Sequence, residues 1–260
     1  MSKNEQNLDH LDWLDWLGRL GAATAADVAS RFGLPAASVH GRLAAAERRG
    51  LIARRRLLHG HPALFVVTAA GLRVAGLEGF TPARVSASSF EHWRACASVA
   101  VALEGLGTHR VIGDRELRAL ERSSGRRLAS TELGLQRSGE PDSHHPDLVL
   151  LGERGDPPVA VEVEIAVKAP RRLHGICRAW GRSRTIAGVV YCASPRARRA
   201  LRRTVGVLAA EELIAVVALD PVLAGDATAV GAAVCKLEAG AARRPTERPR
   251  EPSQARPSFV

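Results

Sequence analysis

The sequence predicts an α/β chain (α+β overall) in two parts: a small helix-rich module, then a larger unit in which helices and strands alternate, and last a basic tail. Three observations predict it. Capping and periodicity signals up to about residue 78 mark short helices around one hairpin. Beyond residue 109, β-branched runs alternate with helical stretches. A composition of 46% hydrophobic and 25% charged residues over 260 positions supports a packed core.

In the first part, Leu8, Leu11, Trp13, Leu14, Trp16, Leu17 and Leu20 form a broad helical stripe ending at Gly21. The stripe serves a core or a partner contact, and core packing is the expected use of the two tryptophans. Thr24-Ala-Ala-Asp27 reads as an N-cap with an acid three residues on. Val28 and Phe32 line that second helix, and Gly33 stands where a left-handed end is needed. Pro35 is expected at the first position of a third helix, with Val39, Leu43 and Ala46 inward and Gly50 as its stop. Residues 51–58 and 63–67 flank His59-Gly-His-Pro62 as a hairpin, and Thr68 caps a helix carrying Leu72, Val74 and Leu77. This order over residues 8–78 resembles the winged helix-turn-helix domains of bacterial regulators, most closely in "GLPAASVHGRLAAAERRGLIARRR".

The charges suit such a module. Net charge is +10, and codon bias toward Arg does not by itself unbalance base against acid. A positive excess attracts polyanions and releases their counterions, which makes double-stranded DNA the expected partner. Ser38, His40, Arg42, Arg48 and Arg49 fall on or beside the helix that such folds insert into the major groove. Arg54, Arg55, Arg56 and His59 fall on the hairpin, where alternation sends Arg54 and Arg56 to one face and Arg55 to the other. Winged helices also serve as protein-interaction modules, which stays the alternative. No apolar run reaches the ~20 residues that span a bilayer, and the N-terminus lacks a signal-peptide core, so a cytoplasmic protein with no membrane partner is expected. The four cysteines, at 96, 177, 192 and 235, have no metal-finger spacing and read as small buried hydrophobes.

After a linker at 79–88, the larger unit spans 89–222. It should hold a helix at 89–106, a strand at 109–113 and a polar segment with some helix near 115–122. Strands at 147–151 and 159–167, a helix at 171–183, a strand at 186–192, a helix at 196–209 and a strand at 213–219 complete it. Residues 240–260, rich in Pro and Arg, read as a disordered basic tail.

Chemistry concentrates in "HHPDLVLLGERGDPPVAVEVEIAVKAPRRL". Strand period two puts Val159, Val161, Val163, Ile165 and Val167 on one face and Ala160, Glu162, Glu164, Ala166 and Lys168 on the other. Two acids on one strand face must be exposed or neutralised by a cation. With Asp147 opening the preceding strand, three carboxylates would suit a hard divalent cation, Mg²⁺ or Mn²⁺. The pattern resembles the PD-(D/E)-x-K nuclease superfamily, and, joined to a winged helix, is similar to actinobacterial mobile-element proteins of the replication-relaxation kind. The resemblance implies a restriction-endonuclease-like αβββαβ core. It makes Asp147 and Glu162 metal ligands, with Glu164 beside them in the position where the superfamily has its catalytic Lys. Lys168 could substitute only if the strand bulges or bends after Ile165 or the metal sits nearer Glu164, since six residues of strand span about 20 Å. His144 and His145, and Glu91 and Glu104 on the first helix of this unit, are further candidates for ligand or base.

Between Ile165 and Ala210 there are eleven cations and no acid: Lys168, Arg171, Arg172, Arg178, Arg182, Arg184, Arg196, Arg198, Arg199, Arg202 and Arg203. Soluble surfaces usually intersperse signs, so this run points to a phosphate-binding face, Arg171, Arg172 and Arg178 foremost. Two functions follow as expectations: a Mg²⁺-dependent DNA endonuclease, or a transcription or replication regulator whose nuclease-like unit does not cut. A homodimer would suit duplex breakage, but no residue specifies one. A protein-binding scaffold is the third reading.

Overall fold

The computed structural model describes residues 3–135, 138–152 and 155–244, with side chains in the first helix from Asp12 onward. The predicted Leu8 and Leu11 thus lie outside the described side chains, and residues 245–260 of the expected tail lie outside the described residues. Helix α1 (Lys3–Leu20) leads through the two-residue strand β1 (Ala22–Ala23) to α2 (Ala25–Phe32) and α3 (Ala36–Arg48). Strands β2 (Ile52–Arg55) and β3 (Leu64–Val67) form an antiparallel hairpin, and α4 (Ala69–Val74) follows.

The local signals act as read. Thr24 Oγ1 accepts from Asp27 N while Asp27 Oδ2 accepts from Thr24 N at 2.8 Å, and Gly33 closes α2 in the left-handed region at φ +60°. Thr68 caps α4 by accepting from Gly71 N at 3.1 Å. Three details differ. Pro35 is the residue before α3 rather than its first, β1 adds an unexpected third strand on β3, and α4 ends at Val74. Val74 is therefore exposed, while Leu77 is buried from the loop beyond the helix.

The second part starts with α5 (Phe90–Glu104), β4 (Arg110–Gly113) and α6 (Asp114–Ser124). A small hairpin, β5 (Thr131–Leu135) with β6 (Pro141–His144), stands where only a polar segment was expected. Then come β7 (Leu148–Leu151), β8 (Val159–Glu164), α7 (Pro170–Arg182), β9 (Gly188–Ala193), α8 (Pro195–Val207), β10 (Ile214–Ala218), α9 (Leu219–Leu223) and α10 (Thr228–Ala242). Residues 240–242, assigned to the tail from sequence, are thus the last turn of α10.

The five-stranded sheet runs β10-β9-β8-β7-β4, with β4, β7 and β8 antiparallel and β8, β9 and β10 parallel. The parallel pairs are crossed by α7 and α8, and β8 is buried on both faces, with Val159, Val161 and Val163 on one and Ala160, Glu162 and Glu164 on the other. One face packs Val161, Val163 and Val190 against α5, α9 and α10; the other packs Val149, Ala160 and Val189 against α6, α7 and α8.

The two parts share one apolar cluster. Trp13, Leu14, Leu17, Val28 and Leu43 belong to the same cluster as Ala97, Val99, Leu103 and Val161. Polar bridges cross the same junction. Asp27 Oδ1 accepts from Ser98 Oγ at 2.9 Å, Glu104 Oε1 accepts from Trp16 Nε1 at 3.2 Å, Arg31 pairs with Glu104, and Arg19 pairs with Glu116 at 3.0 Å. Gly21 sits at φ +111°, where a Cβ would fall 2.8 Å from the Trp93 ring, so only glycine allows this approach. In the stretch read as a linker, Phe80, Ala83 and Val85 pack on these cores and Arg115 donates to the Thr81 carbonyl.

Candidate functional site at the end of the central sheet

Strand pairing Leu148↔Val161 sets Asp147, the residue before β7, beside the C-terminal end of β8. The ladder stops there, and the Asp147 carboxylate continues it: Oδ2 accepts from Val163 N at 2.8 Å. Its other oxygen, Oδ1, accepts from His92 Nε2 on α5 at 3.0 Å. That hydrogen bond holds the His92 imidazole above its ordinary pKa, against the opposing effect of partial burial. One helical turn on, Cys96 Sγ lies 3.5 Å from the same Nε2. Burial pushes the Cys96 thiol well up, with Asp147 adding to it.

Glu162 and Glu164 face the α7 side and are only 3% and 6% exposed. The expectation that paired acids need exposure or neutralisation is met by neutralisation. Glu162 Oε1 accepts from His144 Nε2 at 2.6 Å, and Glu164 pairs with Lys168. Burial raises the Glu162 carboxyl, with the His144 bond opposing; burial is the largest influence on His144 and lowers it, but the hydrogen bond and the charge of Glu162 together outweigh it and leave His144 raised. His144 itself is wedged edge-on against the Trp180 ring, 5.6 Å between centroids.

The reach of Lys168 corrects the predicted strand. β8 stops at Glu164 rather than continuing to 167, so Ile165 and Val167 do not extend its apolar face, and Val167 is exposed. The chain turns before α7 and carries the Lys168 ammonium back to Glu164, meeting the bend that the sequence reading required. Ser194 stabilises that exit by donating its backbone N to the Glu164 carbonyl at 2.9 Å and its hydroxyl to the Ile165 carbonyl at 3.0 Å.

The other candidates fall elsewhere. Glu91 pairs with Arg94 and His61, and Glu104 serves the junction of the two parts, so neither reaches the sheet end. His145 Nε2 approaches Glu121 at 3.4 Å. Cys96, Cys177 and Cys192 are buried as read, while Cys235 is exposed. His92 is the residue that sequence reasoning missed. The signal was there, since His92 and Cys96 are spaced i, i+4 on one helix face.

The arrangement fits a Mg²⁺ cage poorly. Among the described residues, one trio of His, Cys, Asp or Glu brings its ligand atoms within 4.8 Å of one another, and it is His92, Cys96 and Asp147, without Glu162 or Glu164. Mg²⁺ needs oxygen ligands in near-ideal octahedral geometry. Here Glu162 and Glu164 are engaged by His144 and Lys168, and only one of the trio's three donors is oxygen.

Cations frame this sheet end. Helix α7 follows the end of β8 after the turn that carries Lys168, α8 follows the end of β9 after Ser194, and neither helix has an acid in its first turn. Arg171, Arg172, Arg178, Arg196, Arg199, Arg202 and Arg203 are exposed, and among the described residues none has an ion-pair or hydrogen-bond partner. In the first part, His40, Arg48, Arg49, Arg54, Arg55 and Arg56 are exposed, whereas Ser38 and Arg42 are half-buried. The His40 ring spends Nδ1 on the Ala36 carbonyl at 2.7 Å, and Arg54 lies over the Phe65 ring. No helix among the described residues is long and apolar enough to cross a membrane.

No protein-family model, no curated protein and no solved structure matches this chain.

Proposed function

We propose that this chain is a double-stranded DNA-binding protein, with a winged helix-turn-helix formed by α1 to α4 and a nuclease-like αβββαβ unit formed by α5, β4, β7, β8, α7 and β9. The observation that carries the reading is the exposed, unpaired arginine face of α7 and α8. An arginine that lacks a carboxylate partner keeps its full charge for a phosphate, and two helix N-termini add their partial positive charge to the same end of the sheet. The exposed cations of α3 and β2 would supply a second contact. The shared core between the parts supports presenting both surfaces as one body. Within this reading the chain acts as a regulator of transcription or replication, and its carboxylates stabilise the sheet end.

A second reading is a metal-dependent endonuclease, and one observation favours it: Asp147, Glu162, Glu164 and Lys168 converge on one sheet end from positions up to 21 residues apart. Incubating supercoiled plasmid with the protein and Mg²⁺ or Mn²⁺, beside Asp147→Ala, separates the two. Retarded but intact plasmid with both proteins is the expected result. Nicking that Asp147→Ala abolishes would replace the regulator with the nuclease.

A further inference from the structure

We propose that His92, Cys96 and Asp147 form a binding site for a thiophilic divalent transition-metal ion of the Zn²⁺ class, pinning α5 to the start of β7. The inference stands apart from DNA binding and uses neither arginine surface.

Geometry carries it. A tetrahedral ion with metal–nitrogen bonds of ~2.05 Å and a metal–sulfur bond of ~2.3 Å sets its nitrogen and sulfur ligands about 3.6 Å apart, and nitrogen and carboxylate oxygen about 3.4 Å apart. His92 Nε2 lies 3.5 Å from Cys96 Sγ and 3.0 Å from Asp147 Oδ1. These two edges match the tetrahedral values within a few tenths of an ångström, and the third, from Cys96 Sγ to the carboxylate, lies within 4.8 Å. The three donors come from two elements, and each is oriented by its own surroundings. His92 and Cys96 are one turn apart on α5, so the helix fixes their spacing. Asp147 is held through its second oxygen by Val163 N at 2.8 Å, the kind of outer contact that orients a ligating carboxylate.

The donor chemistry selects the ion. One nitrogen, one sulfur and one oxygen make a borderline-soft set that suits Zn²⁺ and Co²⁺ and disfavours Mg²⁺ and Ca²⁺. Binding displaces the thiol proton of Cys96 and requires a His92 imidazole that carries its one proton on Nδ1, leaving Nε2 to the ion, so the site has two anionic ligands and one neutral one. The side chains of His92 and Asp147 are 40% and 21% exposed, which leaves the fourth coordination position open to water on their side.

The test is titration of the full chain with Co²⁺, a spectroscopic substitute for Zn²⁺, followed by competition with Zn²⁺. The expected result is one ion per chain, with a thiolate-to-metal absorption band and the visible bands of a four-coordinate ion, both erased by Zn²⁺. Cys96→Ser should remove the thiolate band, Asp147→Asn should weaken binding at least tenfold, and Cys235→Ser, which changes an exposed cysteine, should do neither. Absence of binding at micromolar metal, or a thiolate band that survives Cys96→Ser, would overturn the proposal. If Cys96→Ser does not fold, X-ray absorption on the loaded wild-type chain decides instead. One sulfur with nitrogen and oxygen neighbours supports the site; an all-oxygen shell, or more than one sulfur, rejects it.

Discussion

Gly71 sits in α4, where helix propensity and packing give opposite signs for one substitution. Alanine in a helix interior is favoured over glycine by about 1 kcal/mol, so propensity alone predicts that Gly71→Ala stabilises the protein. The surroundings say otherwise. A Cβ at position 71 would fall 2.0 Å from the Leu51 carbonyl oxygen and 2.7 Å from Val67 Cγ1, and real Cβ atoms essentially never approach closer than 3.0 Å. The first obstacle is backbone, so α4 must withdraw from the hairpin by about 1 Å. That carbonyl also accepts from Thr68 N at 3.0 Å and Thr68 Oγ1 at 3.1 Å, the bonds that tie the start of α4 to the chain entering β2. Losing two such bonds costs about 1–3 kcal/mol, and overpacking a filled site about 1–3 kcal/mol more. Against a propensity gain of about 1 kcal/mol, the net is a loss of about 1–5 kcal/mol. Urea unfolding followed by circular dichroism, with equal slopes for both proteins, measures it. A variant as stable as wild type, or more so, would refute the packing of α4 on Leu51.

Three further outcomes follow. The shared core of the two parts predicts one unfolding transition, so tryptophan fluorescence and far-UV circular dichroism of the wild-type chain should report the same urea midpoint, and two distinct midpoints would contradict a common core. Burial would raise the Glu121 carboxyl, but hydrogen bonds from Ser130, Ala129 and Leu128 outweigh it and leave it below its ordinary value. Its stabilisation is therefore full above about pH 4.5 and fades as pH falls through the depressed folded value, so Glu121→Gln should cost about 1 kcal/mol at neutral pH and lose less stability than wild type on acidification. Steeper acid loss in the variant would reverse that sign. His144→Ala should destabilise by about 3–5 kcal/mol, because it strips a buried Glu162 of its partner, whereas Glu162→Gln keeps the hydrogen bond and should cost clearly less; thermal melts of both check the order.

Local signals were the legible part of this fold. The Thr24–Asp27 capping box, the left-handed Gly33 and the Thr68 cap depend on neighbours in sequence, and each acts as its residues predict. The alternating valines of β8 announced a strand, but not its end. Ile165 and Val167 continue the alternation, and only the hydrogen bonds from Ser194, 29 residues on, show that the chain leaves the sheet at Glu164. Hairpin β5–β6 was hidden because it is short and polar, and depends on packing against α7 rather than on an apolar pattern of its own. At the site, Asp147, Glu162, Glu164 and Lys168 were readable as a group, but their engagement was not, since His144 and His92 meet them only through tertiary contact. On α5 the acid Glu91 lies one residue from His92, the side chain that does reach Asp147.

The central claim, that unpaired arginines bind duplex phosphate, is tested most directly by the salt dependence of affinity for a mixed-sequence duplex. Wild type should lose affinity linearly on a log–log plot against salt concentration, with a slope near −0.9 per phosphate contacted. Replacing Arg171, Arg172 and Arg178 together by Gln should flatten that slope by about 2–3 while leaving the fold intact. A wild-type slope near zero, or one unchanged in the triple variant, would contradict the assignment of this face to DNA.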